Sequence, residues 1–419
     1  MALPQGWALT KWDNTVSITH GKEKINIEIA DGKYPIYGSS GIIGRSNEYL
    51  CPAGSIIIGR KGTINNPLLT TENFWNIDTA FGVTPTEAIA SKFLYYFCLQ
   101  FNFKILDRST TIPSLTQSNL YDISIPLPPL PEQHRIVAKI DSLFSELDSG
   151  VTALQTIKTQ ITVYRQAVLL EAFRRVLETN KKMPLFSIVE GIFDGPFGSN
   201  LKTSDYTHCG VRVIRLENIK SMRFNDKKET FISEEKYEKL KGNTVSFPDI
   251  IISTFITDEI KSCIIPSHIE YAVNKADCVC IRTNAELFSK FLVYYLSSKQ
   301  VYNSLFQQVH GATRPRINTT QIKRIPVPYC PKDEQLAIVS AIESRLSMCD
   351  KLEQTIDQTL ALSVSLRQSI LKKAFEGWLV PQDPNDEPAE KLLERIKAER
   401  ETVQKQKITI RRSRKYAKS

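Results

Sequence analysis

Apolar residues recur every seven positions along one stretch of the chain. The residues at this period are Ile140, Leu147, Leu154, Ile161 and Val168, and the intermediate positions hold Leu143, Ile157 and Tyr164. A heptad pattern of this kind predicts a long coiled-coil helix. Gly150 is the weak point of the pattern, since glycine costs about 1 kcal/mol relative to alanine inside a helix.

A second stretch, from Glu334 to Glu376, contains no glycine or proline and carries a less regular apolar stripe. The stripe consists of Ile342, Leu346, Cys349, Leu352, Ile356, Leu360, Leu366 and Ile370, and Ser363 stands where an apolar residue is expected. At 1.5 Å per residue, about 43 residues form a helix about 65 Å long. Because neither helix can bury its stripe alone, we expect the two to pack together.

The two helical stretches belong to an internal repeat. The segment that starts at Ile112 aligns without a gap on the segment that starts at Arg314, at a constant offset of 202 residues. The matched positions include Pro113 and Pro315, Glu132-Gln133 and Glu334-Gln335, Asp148 and Asp350, and Arg165 and Arg367. Upstream the offset drifts, to 198 between SKFLYYF at Ser91 and SKFLVYYL at Ser289 and to 194–196 between PAGSIII at Pro52 and PDIII at Pro248. Each half is therefore a divergent globular part followed by a better-matched helix.

The globular parts have the pattern of mixed α and β structure. Strands are predicted at Ser55–Ile58, Val211–Leu216 and Ile250–Ser253, and helices at Ser91–Phe101 and Leu287–Tyr302. The predicted fold class is therefore α/β, in the sense of mixed α+β. We expect one globular domain at 1–127, a helical spacer at 128–180, a second globular domain at 181–328, a second spacer at 329–380, and a C-terminal helix and basic tail at 381–419.

Composition narrows the class of protein. With 419 residues and 42% hydrophobic content, the chain is long and apolar enough for several packed domains. No apolar run reaches the length of a membrane span, and the first residues lack the pattern of a signal peptide, so we expect a cytoplasmic protein. The formal charge is +9, and the stretch from Thr402 to Ser419 holds seven Lys or Arg and no acid. Such a balance suits a polyanionic partner, although a solvated tail has the same composition.

Motifs for catalysis and metal binding are lacking. The eight cysteines, including the Cys278 and Cys280 pair, do not form the CxxC or CxxH clusters of zinc sites, and we expect no metal or cofactor. There is no GxxxxGK[ST] phosphate loop and no [DN]PP[YF] tetrapeptide. Asp249, Glu259 and Lys261 mimic a PD…ExK metal-nuclease site, but the first copy of the repeat has Gly54-Ser55 at the corresponding place, which argues against a nuclease.

Several phrases of the sequence resemble one known family. They are GRKGT from Gly59, IPLPPLPEQHRIVAKID from Ile125, GPFGSNLKTSDYTHCGVRVIRLENI from Gly195 and GWLVPQDPNDEPAEKLLERIKAER from Gly377. Together with the repeat, they are similar to the specificity subunit of a Type I restriction–modification system. The second copy of the proline and Glu-Gln motif departs from the first at Tyr329-Cys330 and Lys332-Asp333.

The resemblance implies two target-recognition domains and two antiparallel helices related by a pseudo-two-fold axis. Each domain would read one half of a split DNA target, and the helices would set the gap. The subunit would recruit two methyltransferase subunits, and motor–nuclease subunits would join for restriction. Methyl transfer, ATP hydrolysis and cleavage would then belong to these partners, and this chain would not be an enzyme.

Base reading needs polar or basic side chains on loops and at the ends of elements. The candidates in the first domain are Arg45, Arg60, Lys61, Thr63, Asn65 and Asn66. The candidates in the second domain are Asn200, Lys202, Arg212, Arg215, Asn218, Arg314 and Arg316. We take Ser199–Lys202 as the counterpart of the basic turn Arg60–Thr63. Trp75, Tyr95, Tyr96, Tyr294 and Tyr295 are expected in the core and not in stacking on bases.

A different class of protein stays open. The chain is alternatively a coiled-coil assembly scaffold that does not read DNA, and salt-dependent duplex binding discriminates between the two. The amphipathic stretch Glu390–Glu401 has Leu392, Leu393 and Ile396 on one face. By resemblance this face docks on a methyltransferase subunit, and otherwise it is an ordinary surface helix.

Overall fold

The structure is a computed structural model that describes residues 3–309 and 315–399. The chain divides into two compact units: unit 1 comprises Met1–Ala153 and Gln358–Ser419, and unit 2 comprises Leu154–Asp357. Each unit contains helices and sheets, which confirms the mixed α+β class. Among the described residues, no helix is both long and apolar enough to cross a membrane.

The two predicted long helices are confirmed. The first long helix spans Leu130–Thr179, and the second long helix spans Lys332–Phe375. Gly150 lies inside the first helix, and a Cβ added there would meet no atom within 4 Å. The glycine therefore faces open space, where its cost is conformational and no packing is lost.

Equivalent ion pairs join the two helices inside each unit. In unit 2, Arg165 contacts Asp350 at 2.6 Å and Glu353 at 3.0 Å, and Lys158 contacts Asp357 at 2.6 Å. From Lys158 to Arg165 the residue number rises on the first helix, while that of the acidic partner on the second helix falls from Asp357 to Asp350. The helical segments in this unit are therefore antiparallel. In unit 1, Arg367 pairs with Asp148. Since Arg165 and Arg367, like Asp148 and Asp350, are matched by the repeat, each unit contains the same bridge with the helices' roles exchanged.

The expected contact stripe is wrong at four positions. Ile157 and Tyr164 are 42% and 50% exposed, and Leu352 and Leu366 are 49% and 48% exposed. The physical reason is visible on the first helix, where Lys158 and Arg165, one residue further along, point their charges at acids of the second helix. The aliphatic stem of Arg165 is largely covered while its guanidinium is neutralised. The helices thus bury a narrower stripe than predicted and leave apolar side chains exposed.

In unit 1 the globular part is built on two larger sheets and one two-stranded pair. Their strands are β1 (Ala8–Lys11), β2 (Val16–His20), β3 (Tyr34–Gly38), β4 (Gly41–Ser46), β5 (Ile56–Gly59), β6 (Leu68–Leu69), β7 (Trp75–Asn76), β8 (Ala80–Pro85) and β9 (Ser124–Leu127). One sheet has the order β2-β8-β5-β6 and the other β4-β3-β7, while β1 pairs with β9. The helices are Trp12–Thr15, Ser91–Gln100 and Gln117–Tyr121, with a 3₁₀ turn at Phe103–Leu106. Strand β5 is buried along its whole length because both of its faces are covered.

In unit 2 the globular part has the same plan with insertions. Its strands are β10 (Lys182–Pro184), β11 (Val189–Phe193), β12 (Tyr206–Thr207), β13 (Val211–Ile214), β14 (Ile219–Lys220), β15 (Arg223–Phe224), β16 (Phe231–Ile232), β17 (Thr244–Val245), β18 (Ile250–Ser253), β19 (Ser262–Ile264), β20 (Ala272–Asn274), β21 (Cys278–Thr283) and β22 (Pro326–Pro328). The helices are Glu234–Glu238, Ser289–Leu296, Lys299–Phe306 and Thr319–Lys323, and 3₁₀ turns lie at Leu185–Ser187, Gly198–Asn200, Thr203–Asp205, Leu216–Asn218 and Lys241–Asn243.

The four-stranded sheets of the two units correspond strand by strand, and the second sheets, of three strands in unit 1 and five in unit 2, share a parallel pair. The order β11-β21-β18-β19 in unit 2 matches β2-β8-β5-β6 in unit 1. In the second sheet, β13 pairs with β20 in parallel, as β3 pairs with β7. The strand β10 pairs with β22 as β1 pairs with β9. The divergent halves of the repeat therefore share one topology.

Local predictions were mostly confirmed, although the strand predicted at Val211–Leu216 ends at Ile214 and one predicted helix is wrong. The strand Ile250–Ser253 agrees with the prediction, and the helix from Ser91 ends one residue earlier, at Gln100. The single helix predicted at Leu287–Tyr302 is wrong, because the chain forms two helices that are separated at Ser297 and Ser298. Ser298 ends the run, since its hydroxyl accepts from Val301 N and caps the second helix.

The repeated glutamine of the Glu-Gln motif ties each long helix to its globular part. Gln133 accepts from Ala90 N at 2.8 Å and donates to Ala88 O at 3.0 Å and Pro128 O at 3.1 Å. Gln335 accepts from Phe288 N at 2.8 Å and donates to Glu286 O and Cys330 O at 2.9 Å. The departures at Tyr329-Cys330 and Lys332-Asp333 therefore leave this helix start unchanged.

Glu132, next to this glutamine, is a buried carboxylate. Both of its oxygens accept from Trp7 Nε1 at 3.1 Å, and Gln382 Nε2 lies 3.3 Å from Oε1. Burial raises the pKa of Glu132 above its ordinary value, and the hydrogen bonds from Trp7 and Gln382 oppose this shift.

A raised pKa makes the ionised form of Glu132 unfavourable in the folded state, so its contribution to stability falls as pH rises from the ordinary pKa of a glutamate through the raised one. Glu132→Gln cannot ionise. We expect the free energy of unfolding of this variant to increase relative to that of the unmodified chain as pH rises from about 4.5 to 7.5. Urea unfolding of both proteins across this range measures the difference, and a difference that stays constant or falls would contradict the assignment.

Candidate nucleic-acid interface

The basic loop of unit 1, residues 60–63, is held from two sides. Arg60 N donates to Thr79 O at 2.8 Å, Gly62 N donates to Pro113 O at 2.9 Å, and Leu115 N donates to Arg60 O at 2.8 Å. Gly62 has a φ of +81°, which favours glycine. Lys61, Gly62 and Thr63 are exposed. The loop therefore presents polar groups to solvent from a fixed backbone.

The neighbouring segment 108–113 contains a further candidate, Arg108, that the sequence analysis did not select. Arg108 is exposed, and its segment leads into Pro113, whose carbonyl accepts from Gly62. A signal was available, because this segment precedes the proline motif as residues 310–314 do in the second copy. Arg60 is more restrained than Lys61, since its Nη1 donates to Asp78 O at 3.1 Å.

The remaining candidates of unit 1 do not gather at this loop. Arg45 lies at the far end of the β3–β4 hairpin from the turn at Gly38–Gly41, and its guanidinium donates to Gly32 O and Lys33 O. Asn65 Oδ1 accepts from Phe103 N at 2.7 Å, which is a structural contact. Asn66 is exposed. Of these three candidates, only Asn65 and Asn66, which follow the loop in sequence, are thus brought together with residues 60–63.

The counterpart of this loop in unit 2 is 254–257. Thr254 N donates to Asp277 O at 3.0 Å, Ile256 N donates to Pro315 O at 3.2 Å, and Ile317 N donates to Thr254 O at 2.9 Å, repeating the three bonds of unit 1. The bridge between Phe255 and Arg316 likewise repeats that between Lys61 and Ser114.

The expectation that Ser199–Lys202 is the counterpart is therefore wrong. Those residues lie in the connection between β11 and β12, whereas 254–257 follows β18, the strand equivalent to β5. Asn200 and Lys202 are nevertheless exposed, so their predicted contact with DNA stays a prediction.

Two candidates of unit 2 have internal partners. Arg212 is 9% exposed and pairs with Glu229 at 2.6 Å and Asp226 at 2.9 Å. Asn218 is buried, accepts from Arg215 N, and donates to Asn225 O and Lys228 O. These contacts hold the β13 region together. The predicted contact of these two residues with DNA stays a prediction.

Among the candidate arginines of unit 2 that the structure describes, Arg215 and Arg316 are more accessible than Arg212. Arg215 Nη1 donates to Thr230 Oγ1 at 3.2 Å and lies 3.3 Å from Glu217. The side chain of Arg316 is 57% exposed. Arg314 and the basic stretch 402–419 lie outside the described residues.

The nuclease-like motif has a structural explanation. Asp249 is buried, and its carboxylate is bound by Arg282, with Nε at 3.0 Å from Oδ1 and Nη2 at 2.7 Å from Oδ2. Its Oδ2 also accepts from Ser246 N. In the part of the chain that the structure describes, no group of three or more His, Cys, Asp or Glu side chains could hold a metal ion. Cys278 and Cys280 are buried, which raises the pKa of both thiols and favours their neutral form.

The five aromatic residues that were expected in the core lie in it or against it. Trp75, Tyr96 and Tyr295 are buried, and Tyr95 and Tyr294 pack against the hydrophobic cores, as predicted.

In the C-terminal stretch, residues 389–399 are helical, and Leu392, Leu393 and Ile396 belong to the core of unit 1. The proposal that this face docks on a partner is wrong, because its own unit already covers it. Residues 400 and 401 lie outside the described residues.

The sequence model of the family described as type I restriction modification DNA specificity domain matches residues 6–159 and 205–362. The two matches fall on the two copies of the repeat and together cover most of the chain. The chain belongs to this family of specificity proteins. Its curated relatives in the family are specificity subunits, a non-catalytic role, and catalysis lies in other subunits.

Individual specificity proteins match along nearly the whole length. The EcoDI specificity subunit of Escherichia coli is 25% identical over 429 residues, which cover 95% of this chain and 96% of that protein. The EcoBI specificity subunit of Escherichia coli is 25% identical over 444 residues, which cover 96% and 94%. In the fold comparison, a chain from a type I R-M system is similar with a TM-score of 0.69 at 18% identity, covering 90% of this chain and 100% of that chain. The HsdS subunit from Thermoanaerobacter tengcongensis has a TM-score of 0.54 at 18% identity, covering 90% and 98%.

Proposed function

We propose that this specificity subunit binds duplex DNA and that each globular part reads one half of a bipartite target. The observation that carries the proposal is the pair of loops 60–63 and 254–257. Three equivalent backbone hydrogen bonds hold both loops, yet their side chains differ, Arg-Lys-Gly-Thr in one and Thr-Phe-Ile-Thr in the other. One backbone frame with two sets of side chains suits the reading of two different half-sites.

Exposure orders the candidate contacts. Six candidates present polar groups to solvent and form the core of the proposed interface. They are Lys61, Thr63 and Asn66 in unit 1, and Asn200, Lys202 and Arg316 in unit 2. Arg108 joins them on the same grounds. Arg45, Arg60 and Arg215 are partly engaged with the protein and would contact DNA with their remaining donors. We assign Arg212, Asn218 and Asn65 to the support of the interface.

The long helices serve two roles in this proposal. A continuous helix is stiff, so it would fix the gap between the half-targets, which a flexible linker would leave variable. The helices also leave apolar side chains exposed, such as Ile157, Tyr164 and Met348 in unit 2 and Leu362 in unit 1. Exposed apolar side chains of this number suit a protein partner, and we propose two methyltransferase subunits there.

The wider assignment follows from the family. Motor–nuclease subunits would join the complex for restriction, and the complex would act in the cytoplasm. We propose recognition domains at 1–127 and 181–328, helical spacers at 128–180 and 329–380, and a C-terminal segment at 381–419.

Salt-dependent binding tests the DNA contact. We expect the full chain with its methyltransferase subunits to bind target duplex with an affinity that falls steeply as salt rises, because phosphate contacts release counterions. Lys61→Ala should lower the magnitude of the slope of log K against log salt by about 1 if Lys61 contacts a phosphate. Lys139→Ala, an exposed lysine on the first long helix, is the matched control and should leave the slope unchanged.

The coiled-coil scaffold is the second candidate, and the exposed apolar residues of the helices favour it as much as they favour the first. Under that alternative the chain binds partners but not DNA. Binding without salt dependence and without a preferred sequence would overturn DNA reading. Binding of the methyltransferase subunits with no binding of duplex DNA would establish the scaffold.

A further inference from the structure

One guanidinium in unit 2 is restrained on two sides. The guanidinium carbon of Arg316 lies 4.1 Å from the centre of the Phe255 ring, and its Nη2 lies 3.4 Å from Asp277 Oδ2. Arg316 and Phe255 face each other across an antiparallel bridge. The arginine is still more than half exposed. A planar cation is thus stacked on a ring, flanked by a carboxylate, and open to solvent.

The groups that restrain Arg316 are themselves fixed. Phe255 sits between the hydrogen bonds that Thr254 N makes to Asp277 O and Ile256 N makes to Pro315 O. The Asp277 carboxylate accepts from Thr254 Oγ1 at 2.8 Å. Asp277 also has a φ of +69°, which non-glycine residues adopt rarely and keep only where their surroundings require it. Because the ring and carboxylate are held, Arg316 loses less side-chain freedom on binding than an unrestrained arginine would.

We infer that Arg316 reads a guanine in the half-target contacted by unit 2, with Phe255 and Asp277 as positioning residues. The inference rests on the proposed DNA-binding function and names the base. Guanine presents two acceptors, O6 and N7, in the major groove, and the arginine fork can donate to both. Adenine presents an amino donor in place of O6, so a fixed guanidinium would meet a donor there. A restrained fork therefore discriminates between the two purines.

The repeat confines this preference to one half of the target. In unit 1 the residues that face each other across the equivalent bridge are Lys61 and Ser114. Neither has a planar fork of donors, and neither supplies a ring for stacking. We therefore expect the guanine requirement at this place in the half read by unit 2 and not at the equivalent place in the other half.

Selection from randomised duplexes tests the inference. The complex of the full chain with its methyltransferase subunits is allowed to select DNA, and base preference is measured at each position. Arg316→Lys and Arg316→Ala should lower the preference for guanine at one position by roughly tenfold or more and leave the other positions unchanged. Phe255→Leu should weaken the same preference, and Phe255→Tyr, which keeps the ring, should restore it. Circular dichroism verifies that each variant is folded.

The possible results distinguish a failure of the guanine contact of Arg316 from a failure of the proposed DNA-binding function on which it rests. Arg324→Lys, an exposed arginine of the same unit, is the matched control and should leave every base preference unchanged. If the unmodified complex selects no sequence, DNA reading itself is wrong. If it selects a split target but both Arg316 variants keep the guanine, or lose affinity equally for all bases, Arg316 does not read guanine and this inference alone is overturned.

Discussion

Gln133→Ala should lower the free energy of unfolding of unit 1 by about 2–4 kcal/mol. The side chain is fully buried and makes three hydrogen bonds, to Ala90 N, Ala88 O and Pro128 O. Truncation leaves all three backbone groups without this partner, opens a cavity, and releases the start of the first long helix from the globular part. Each of these effects is costly in a buried site.

The tryptophans make the measurement selective. The four tryptophans of the chain, at positions 7, 12, 75 and 378, all belong to unit 1. Urea unfolding followed by tryptophan fluorescence therefore reports on this unit, and Gln133→Ala should shift its midpoint. Gln335→Ala, which removes the equivalent bonds in unit 2, should shift the transition followed by circular dichroism by a similar free energy.

A control on the same helix distinguishes the buried glutamine from glutamines in general. Gln155 is exposed, and Gln155→Ala should change stability by less than about 0.5 kcal/mol. If Gln133→Ala behaves like this control, the hydrogen bonds of Gln133 do not hold the helix start. The matching bonds of Gln335 would then need another explanation for their repetition.

The period of the long helices could be predicted from sequence, but the flank of the contact stripe could not. A seven-residue repeat identifies Ile161 and Val168 as buried, and both are. It does not say whether the residue three or the residue four positions after Leu154 and after Ile161 completes the stripe. The answer depends on the acids of the other helix, which lie about 200 residues away in sequence and pair with Lys158 and Arg165. Long-range pairing of this kind leaves no mark in a local pattern.

The candidate interface shows the same limit. A basic run flanked by glycines, Arg60 to Thr63, could be recognised in unit 1 because its composition is that of a DNA-contacting loop. Its counterpart Thr254–Thr257 contains no basic residue, so only its place after an equivalent strand identifies it. Arg212 was selected for its charge, and its partners Asp226 and Glu229 become neighbours only when the chain folds.

Replacing residues 1–127 with the corresponding domain of another specificity protein should change one half of the DNA target and leave the other half and the gap unchanged. The expected effect is complete at the affected half, because every proposed base contact of unit 1 lies within the replaced segment. The two ends of the segment also pair with each other, since β1 at its start pairs with β9 at its end, from Ala8 with Leu127 to Lys11 with Ser124.

The graft must satisfy contacts that reach beyond residue 127. Phe93 and Phe97 pack their rings on Phe375 at centroid distances of 5.0 Å and 5.5 Å, and Trp7 donates to Glu132. A donor domain with aromatic residues at these places should keep unit 1 folded. Mapping of methylated sites in DNA from cells that carry the hybrid and its partner subunits measures the target. A hybrid that changes both halves, or the spacing between them, would show that the two readers are not independent, because nothing in the replaced segment belongs to unit 2.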